Sequence, residues 1–243
     1  MNELLKFGRY HHIFGQNEKL NTDEFVNKRR CALAKAGVTS ALASLAKTDK
    51  RNCKELIARV FNAICIPEEV REVVVQQGRA EALLSLALDG TDKGKKYASR
   101  ALVHLALTID PEVAFPGQLI VEVVRPIVNF LEPECSVNET CETLTALCNL
   151  ASVNNKMRKR IFNEAGFEKF TNYVKSDNYM LKLKSALLFE NLTLCREIAI
   201  QCRELDSRIM YLVFDTLWND ESTKMKIIRQ LILEVYSEDH GGQ

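Results

Sequence analysis

The sequence predicts an all-helical fold built as a solenoid. Two observations on composition point there first. Helix breakers are scarce, with 10 Gly and 5 Pro in 243 residues. The bulk is Leu, Ala, Val, Lys and Glu, residues that mostly lose little by entering a helix. The third observation is a repeat. Arg59-Val60-Phe61-Asn62-Ala63, Ala101-Leu102-Val103-His104-Leu105, Ala146-Leu147-Cys148-Asn149-Leu150 and Leu188-Phe189-Glu190-Asn191-Leu192 align on their fourth positions, Asn62, His104, Asn149 and Asn191. A further copy ends at Leu231-Ile232-Leu233, with Ile232 in place of Asn. The period of roughly 40–45 residues is that of armadillo and HEAT arrays, in which each unit buries its apolar face only by stacking on its neighbours. The expected architecture is an armadillo-type right-handed superhelix of about five repeats.

Each repeat divides into three helices. A Gly precedes a helix of moderate length: Gly37 before Val38–Ala46, Gly78 before Ala80–Leu88, Gly166 before Phe167–Val174. A short polar turn follows, such as Lys47–Lys50 or Asp89–Asp92, and then a longer helix carrying the aligned pentamer. A short helix leads on to the next Gly: Pro67–Gln77, Asn155–Glu164 and Arg196–Glu204. Pro67 suits a first helical position, where its missing N–H is no loss. Apolar residues in the second and third helices recur at three and four, as a core-facing stripe does.

Three stretches depart from this rhythm. Thr108–Gly117 holds two Pro and a Gly, and reads as a long loop or short helix in place of a regular first helix. Phe115 within it is either an exposed partner-binding residue or a plug beneath the loop. Residues 1–25 read as a helical or linker segment ahead of repeats spanning 26–236. Glu3–Phe14 could belong to an earlier helix, and Thr22 or Asp23 could cap the helix that runs to Lys35. Residues 237–243 read as a frayed tail.

Composition narrows the function. Hydrophobic residues make up 47% and charged residues 27%, enough for a sizeable core and a wet surface. The net charge of +1 gives no field for holding nucleic acid. Basic runs such as Lys156–Arg160 and Lys93–Lys96 read as solvated faces. The eight cysteines contain no Cys-x-x-Cys pair. Cys141 and Cys148, like Cys195 and Cys202, are two turns apart on one helix face, which suits small buried hydrophobes more than metal ligands or disulfides. Free thiols, no signal-peptide core and no apolar run near the roughly 20 residues of a membrane span point to the cytosol. The four His are scattered, and no phosphate loop or nucleophile motif occurs. No catalytic residue, metal or cofactor is expected.

The candidate site is the row of aligned polar residues. An Asn amide both donates and accepts, so Asn62, Asn149 and Asn191, one per repeat on third helices, can hold the backbone of an extended peptide. His104 takes the Asn position in its repeat. Arg100 and Thr145 lie one turn earlier and would set specificity. The alternative is that these amides tie each third helix to a neighbouring turn.

Longer strings carry a family resemblance. Glu55–Cys65, Val75–Gly78, Ala82–Lys95, Pro111–Gly117, Val121–Pro126 and Leu144–Ala151 resemble the UCS domain of myosin-directed chaperones, in family order. The match runs from about residue 26 to 165, and more loosely to about 235. The resemblance implies an armadillo fold that binds the myosin heavy-chain motor domain and supports its folding and assembly. It implies an Hsp90-class chaperone as an indirect partner, since animal members recruit one through a TPR domain that has no counterpart here. Arg79 stands where the family usually shows a second Gly. The chain reads as a partial member. A generic armadillo adaptor without chaperone action is the alternative.

Overall fold

The computed structural model describes residues 16–47 and 50–220. These residues are helical throughout, with turns but no strand among them. They divide into two compact units, one ending at Val153 and the other beginning at Asn154.

The first unit contains three repeats. Helices α1 (Gln16–Lys35), α2 (Val38–Leu45) and α3 (Arg51–Ile64) make the first, and α4 (Glu68–Gln76), α5 (Ala80–Asp89) and α6 (Asp92–Thr108) the second. In the third, three short helices, α7 (Pro111–Ala114), α8 (Leu119–Glu122) and α9 (Val124–Asn129), precede α10 (Val137–Ser152). The second unit has α11 (Asn155–Ala165), α12 (Phe167–Val174), α13 (Tyr179–Thr193) and α14 (Arg196–Asn219). Helix α14 is interrupted at Asp206, whose backbone is extended (φ −158°, ψ 96°).

The boundaries follow local chemistry. Gly78 turns the chain from α4 into α5 at φ +65°, a left-handed conformation that a Cβ disfavours, and Gly37 and Gly166 do the same at φ +85° and +77°. The later third helices open with side-chain caps. Thr91 Oγ1 accepts from Gly94 N at α6, Ser136 and Glu139 form a capping box at α10, and Asn178 Oδ1 accepts from Met180 N and Leu181 N at α13. Asp110 caps α7 in the same way.

Some expectations shift. Helix α1 already runs from Gln16, so Thr22 and Asp23 sit inside it and not at its cap, and it passes through the boundary expected near residue 26. The helix carries Lys, Arg, Glu, Ala and Leu, which enter a helix readily, and α1 packs on α4. Pro67 is the N-cap of α4 (φ −68°, ψ 135°), one position before the helix it was expected to open. Glu3–Phe14, Leu231–Leu233 and residues 237–243 lie outside the described residues.

The core of the first unit lies between successive third helices. Phe61 of α3, Leu102 and Leu105 of α6, and Leu144 and Leu147 of α10 are fully buried. Second helices supply Leu83 and Leu86, and the short helices Ile127. Phe115 is 0% exposed, so it is the plug beneath the irregular loop and not a surface residue. The loop is too short of regular helix to cover the core with a stripe, and one large ring does that work. Helices α3 and α6 approach closely at Gly94, where a Cβ would stand 3.3 Å from Glu55 Cα. Thr91 Oγ1 also donates to Glu55 Oε2 at 2.5 Å. In the second unit Phe189 is buried and meets Phe167 and Phe170 edge-on, both at 6.1 Å between ring centroids.

All eight cysteines are free thiols. Cys65, Cys195 and Cys202 are buried and the others half-buried. Burial pushes the Cys65 thiol up to about 12 and that of Cys202 to about 11, so both stay protonated and unreactive.

Candidate functional site

The aligned positions of the first unit fall on α3, α6 and α10, its three third helices. Asn62 is 8% exposed and its Oδ1 has no hydrogen-bond partner. His104 is 4% exposed and neither ring nitrogen has a partner. Burial, aided by the Arg71 and Arg100 guanidinium groups and opposed by Glu139, pushes the imidazole down to about 4. It is therefore neutral at physiological pH, with one nitrogen a donor and the other an acceptor. These two side chains carry unspent hydrogen-bonding capacity beneath the third-helix face.

Asn149 is spent. Its Nδ2 donates to Ala106 O at 2.9 Å and Leu107 O at 3.2 Å. Both carbonyls belong to the last turn of α6, where the helix has no donor of its own for them. The amide is thus a side-chain cap supplied by the next repeat. Thr145 Oγ1 donates to Cys141 O at 2.8 Å, within its own helix. Arg100, part-exposed, pairs with Glu139 of α10 at 2.6 Å, and its Nε has no partner. Glu139 also takes both the backbone N–H and the hydroxyl of Ser136. Its carboxyl lies below the usual range: burial raises it, and the two Ser136 bonds and Arg100 outweigh that.

Arg71 was not anticipated. It lies on α4 and is 8% exposed. Nε donates to Cys65 O at 3.0 Å, Nη2 to Ile66 O at 2.9 Å and Nη1 to Thr108 Oγ1 at 3.2 Å. It closes the C-terminal end of α3 and reaches the end of α6, where a cation also meets the negative end of the helix dipole. A charge set close to the apolar Val70 and Val74 was its only sequence signal. In the second unit, Asn191 Oδ1 accepts from Arg158 Nε at 3.2 Å, and Arg158 also holds Asn155 Oδ1 at 2.7 Å. Lys159 pairs with Glu197 at 2.8 Å. Part of the basic run 156–160 is therefore bound internally.

Among the described residues no three His, Cys, Asp or Glu side chains gather in a metal-binding arrangement. No described helix is long and apolar enough to cross a membrane. Of the sequence-predicted residues on the third helices of the first unit, Arg100, Thr145 and Asn149 are part-exposed and already make internal contacts, while Asn62 and His104 are buried.

Protein unc-45 homolog B of Danio rerio is 41% identical to this chain over 202 residues, which are 82% of this chain and 21% of that protein. The chain is homologous to one stretch of UNC-45. UNC-45 from Drosophila melanogaster superposes with a TM-score of 0.71 at 39% identity, over 86% of this chain and 28% of that one. A solved UNC-45 chaperone, described by the features critical for binding and folding muscle myosin, gives 0.69 at 32% identity over 75% of this chain and 21% of that one. No protein-family model matches the chain. It spans about a fifth of the length of the UNC-45 relatives it matches. The helix triplets described above are the armadillo-type units that its UNC-45 likeness leads one to expect.

Proposed function

We propose that the chain is a chaperone module that binds the myosin motor domain and supports its folding, as the UNC-45 likeness suggests. The observation that carries this is the match to a solved UNC-45 chaperone characterised for binding and folding muscle myosin, at 32% identity and a TM-score of 0.69. In the first unit the contact surface is the concave side of α3, α6 and α10, with the part-exposed Arg100 and Thr145 facing the client and Asn62 and His104 just beneath them. Asn62 and His104 have unused polar atoms; Arg100 is part-exposed one turn before His104, and Thr145 one turn before Asn149. Asn149, and Asn191 in the second unit, contribute by fixing their helices and offer the client what remains of their amides. Such a set reads backbone groups and tolerates varied side chains, which a folding helper needs.

Purified chain mixed with a myosin motor domain should co-sediment with it and reduce its light scattering on heating. A folded chain that neither binds nor protects ends the proposal. Replacing Arg100 by Glu should lower binding without changing helix content. Binding dominated by other partners, with no protection of myosin, would favour the adaptor alternative.

A further inference from the structure

Two successive third helices of the first unit have their carbonyl ends closed by different donors. At the end of α6, Ala106 O and Leu107 O take the Asn149 amide of the next repeat, at 2.9 and 3.2 Å. At the end of α3, Cys65 O and Ile66 O take the Arg71 guanidinium, at 3.0 and 2.9 Å. Cys65 stands as far after Asn62 as Leu107 does after His104, so Cys65 O and Leu107 O are the same carbonyl of successive repeats. The residue that the repeat places to reach Cys65 O is therefore His104, the counterpart of Asn149. It makes no such bond. Both ring nitrogens lack a partner although the side chain is 4% exposed.

Arg71 stands where it can take over that work. Arg158 precedes Asn191 by as many residues as Arg71 precedes His104, and Arg158 Nε donates to Asn191 Oδ1 at 3.2 Å. A first-helix Arg at this position thus comes within reach of the aligned side chain of its own repeat. After burial, the Arg71 charge is also the largest influence lowering the His104 pKa. The guanidinium is the better donor for a bare helix end. Its fork serves two carbonyls and Thr108 Oγ1 at once, and its charge meets the negative end of the helix dipole. Where α7, α8 and α9 replace a regular first helix, the Asn149 amide closes the neighbouring end instead.

We propose that Arg71 is a positioning residue: it holds the carbonyl end of α3 in place of residue 104 and so keeps the hydrogen-bonding atoms of that residue unspent. Any use of those atoms by a client rests on the chaperone reading above; the exchange of donors does not.

A pair of substitutions tests the exchange. Above the 6.5 of the free imidazole, His104 is neutral in the folded and the unfolded chain, so its charge plays no part. At such a pH, Arg71→Met should lower the urea midpoint of the full chain. In a His104→Asn background the same change should lower it by much less, because the introduced amide is placed as that of Asn149 is and takes Cys65 O. Equal drops in the two backgrounds would overturn the proposal. A larger drop beside His104→Asn would overturn it too, since the introduced amide would then lean on Arg71 as Asn191 leans on Arg158. If Arg71→Met alone fails to fold, Arg71→Gln takes its place in the same comparison, with the same outcomes. A residue that only packed against α3 would show no such coupling to position 104. None of these readouts depends on myosin, so the chaperone proposal stands or falls by its own test.

Discussion

At the scale of single residues, the polar row divides into two kinds. Asn149 closes the carbonyl end of the neighbouring third helix, so removing its amide leaves Ala106 O and Leu107 O without that donor. Asn149→Ala should cost about 1–2 kcal/mol, read by urea unfolding of the folded chain. Loss of myosin binding with unchanged stability would instead make Asn149 a client contact. His104 is the opposite case, buried with nothing bound to either nitrogen. Its pKa falls from 6.5 to about 4 on folding. Between those values the unfolded ring takes up a proton and the folded ring does not, so stability falls as pH drops through that window. The loss is roughly 3 kcal/mol at most and is complete once the pH is below the folded value. His104→Asn, the residue aligned in other repeats, should flatten that part of the stability–pH curve. Arg79, where the UCS pattern usually has Gly, is accommodated without strain. Its φ is −94°, and Nη2 donates to Ser40 Oγ at 3.0 Å, adding a tie between the first and second repeats.

At the scale of elements, two close fits set the packing. Gly94 lets α6 lie against Glu55 of α3, with backbone as the near neighbour of any added Cβ. Backbone cannot swing aside, so Gly94→Val should destabilise by about 1–3 kcal/mol, seen as a lower denaturant midpoint. Phe115 fills the space under the irregular loop, where α7, α8 and α9 replace a regular first helix. Phe115→Ala should cost about 3–5 kcal/mol. A variant of unchanged stability but poor myosin binding would instead give Phe115 a surface role. The elements themselves were largely legible. Gly before second helices and apolar spacing at three and four are local signals; the Thr91, Ser136 and Asn178 caps of third helices emerged only with the structure. The start of α1 was not, because Thr22 and Asp23 are good caps in isolation and only helix continuity from Gln16 places them inside.

At the scale of the whole molecule, stability is spread over stacked triplets and is unequal along them. In the first unit every residue from Ala101 to Ala106 is buried, since α6 packs on α3, α5 and α10. Amide hydrogen exchange should therefore be slowest in α6 of that unit and faster in α2 and α7. Equal exchange across these helices would contradict a core centred on the third helices.

The sequence by itself determined the helices, their period and the kinship with UNC-45, because glycines and apolar spacing act within a few residues and family strings are contiguous. Tertiary structure alone decided what the polar residues do. Asn149 finds its acceptors 42 and 43 residues back, and Arg71 reaches Thr108 across 37. Stacking one repeat on the next brings such groups within 3.2 Å, and no pattern along the chain distinguishes an amide that caps a neighbour from one left free for a client.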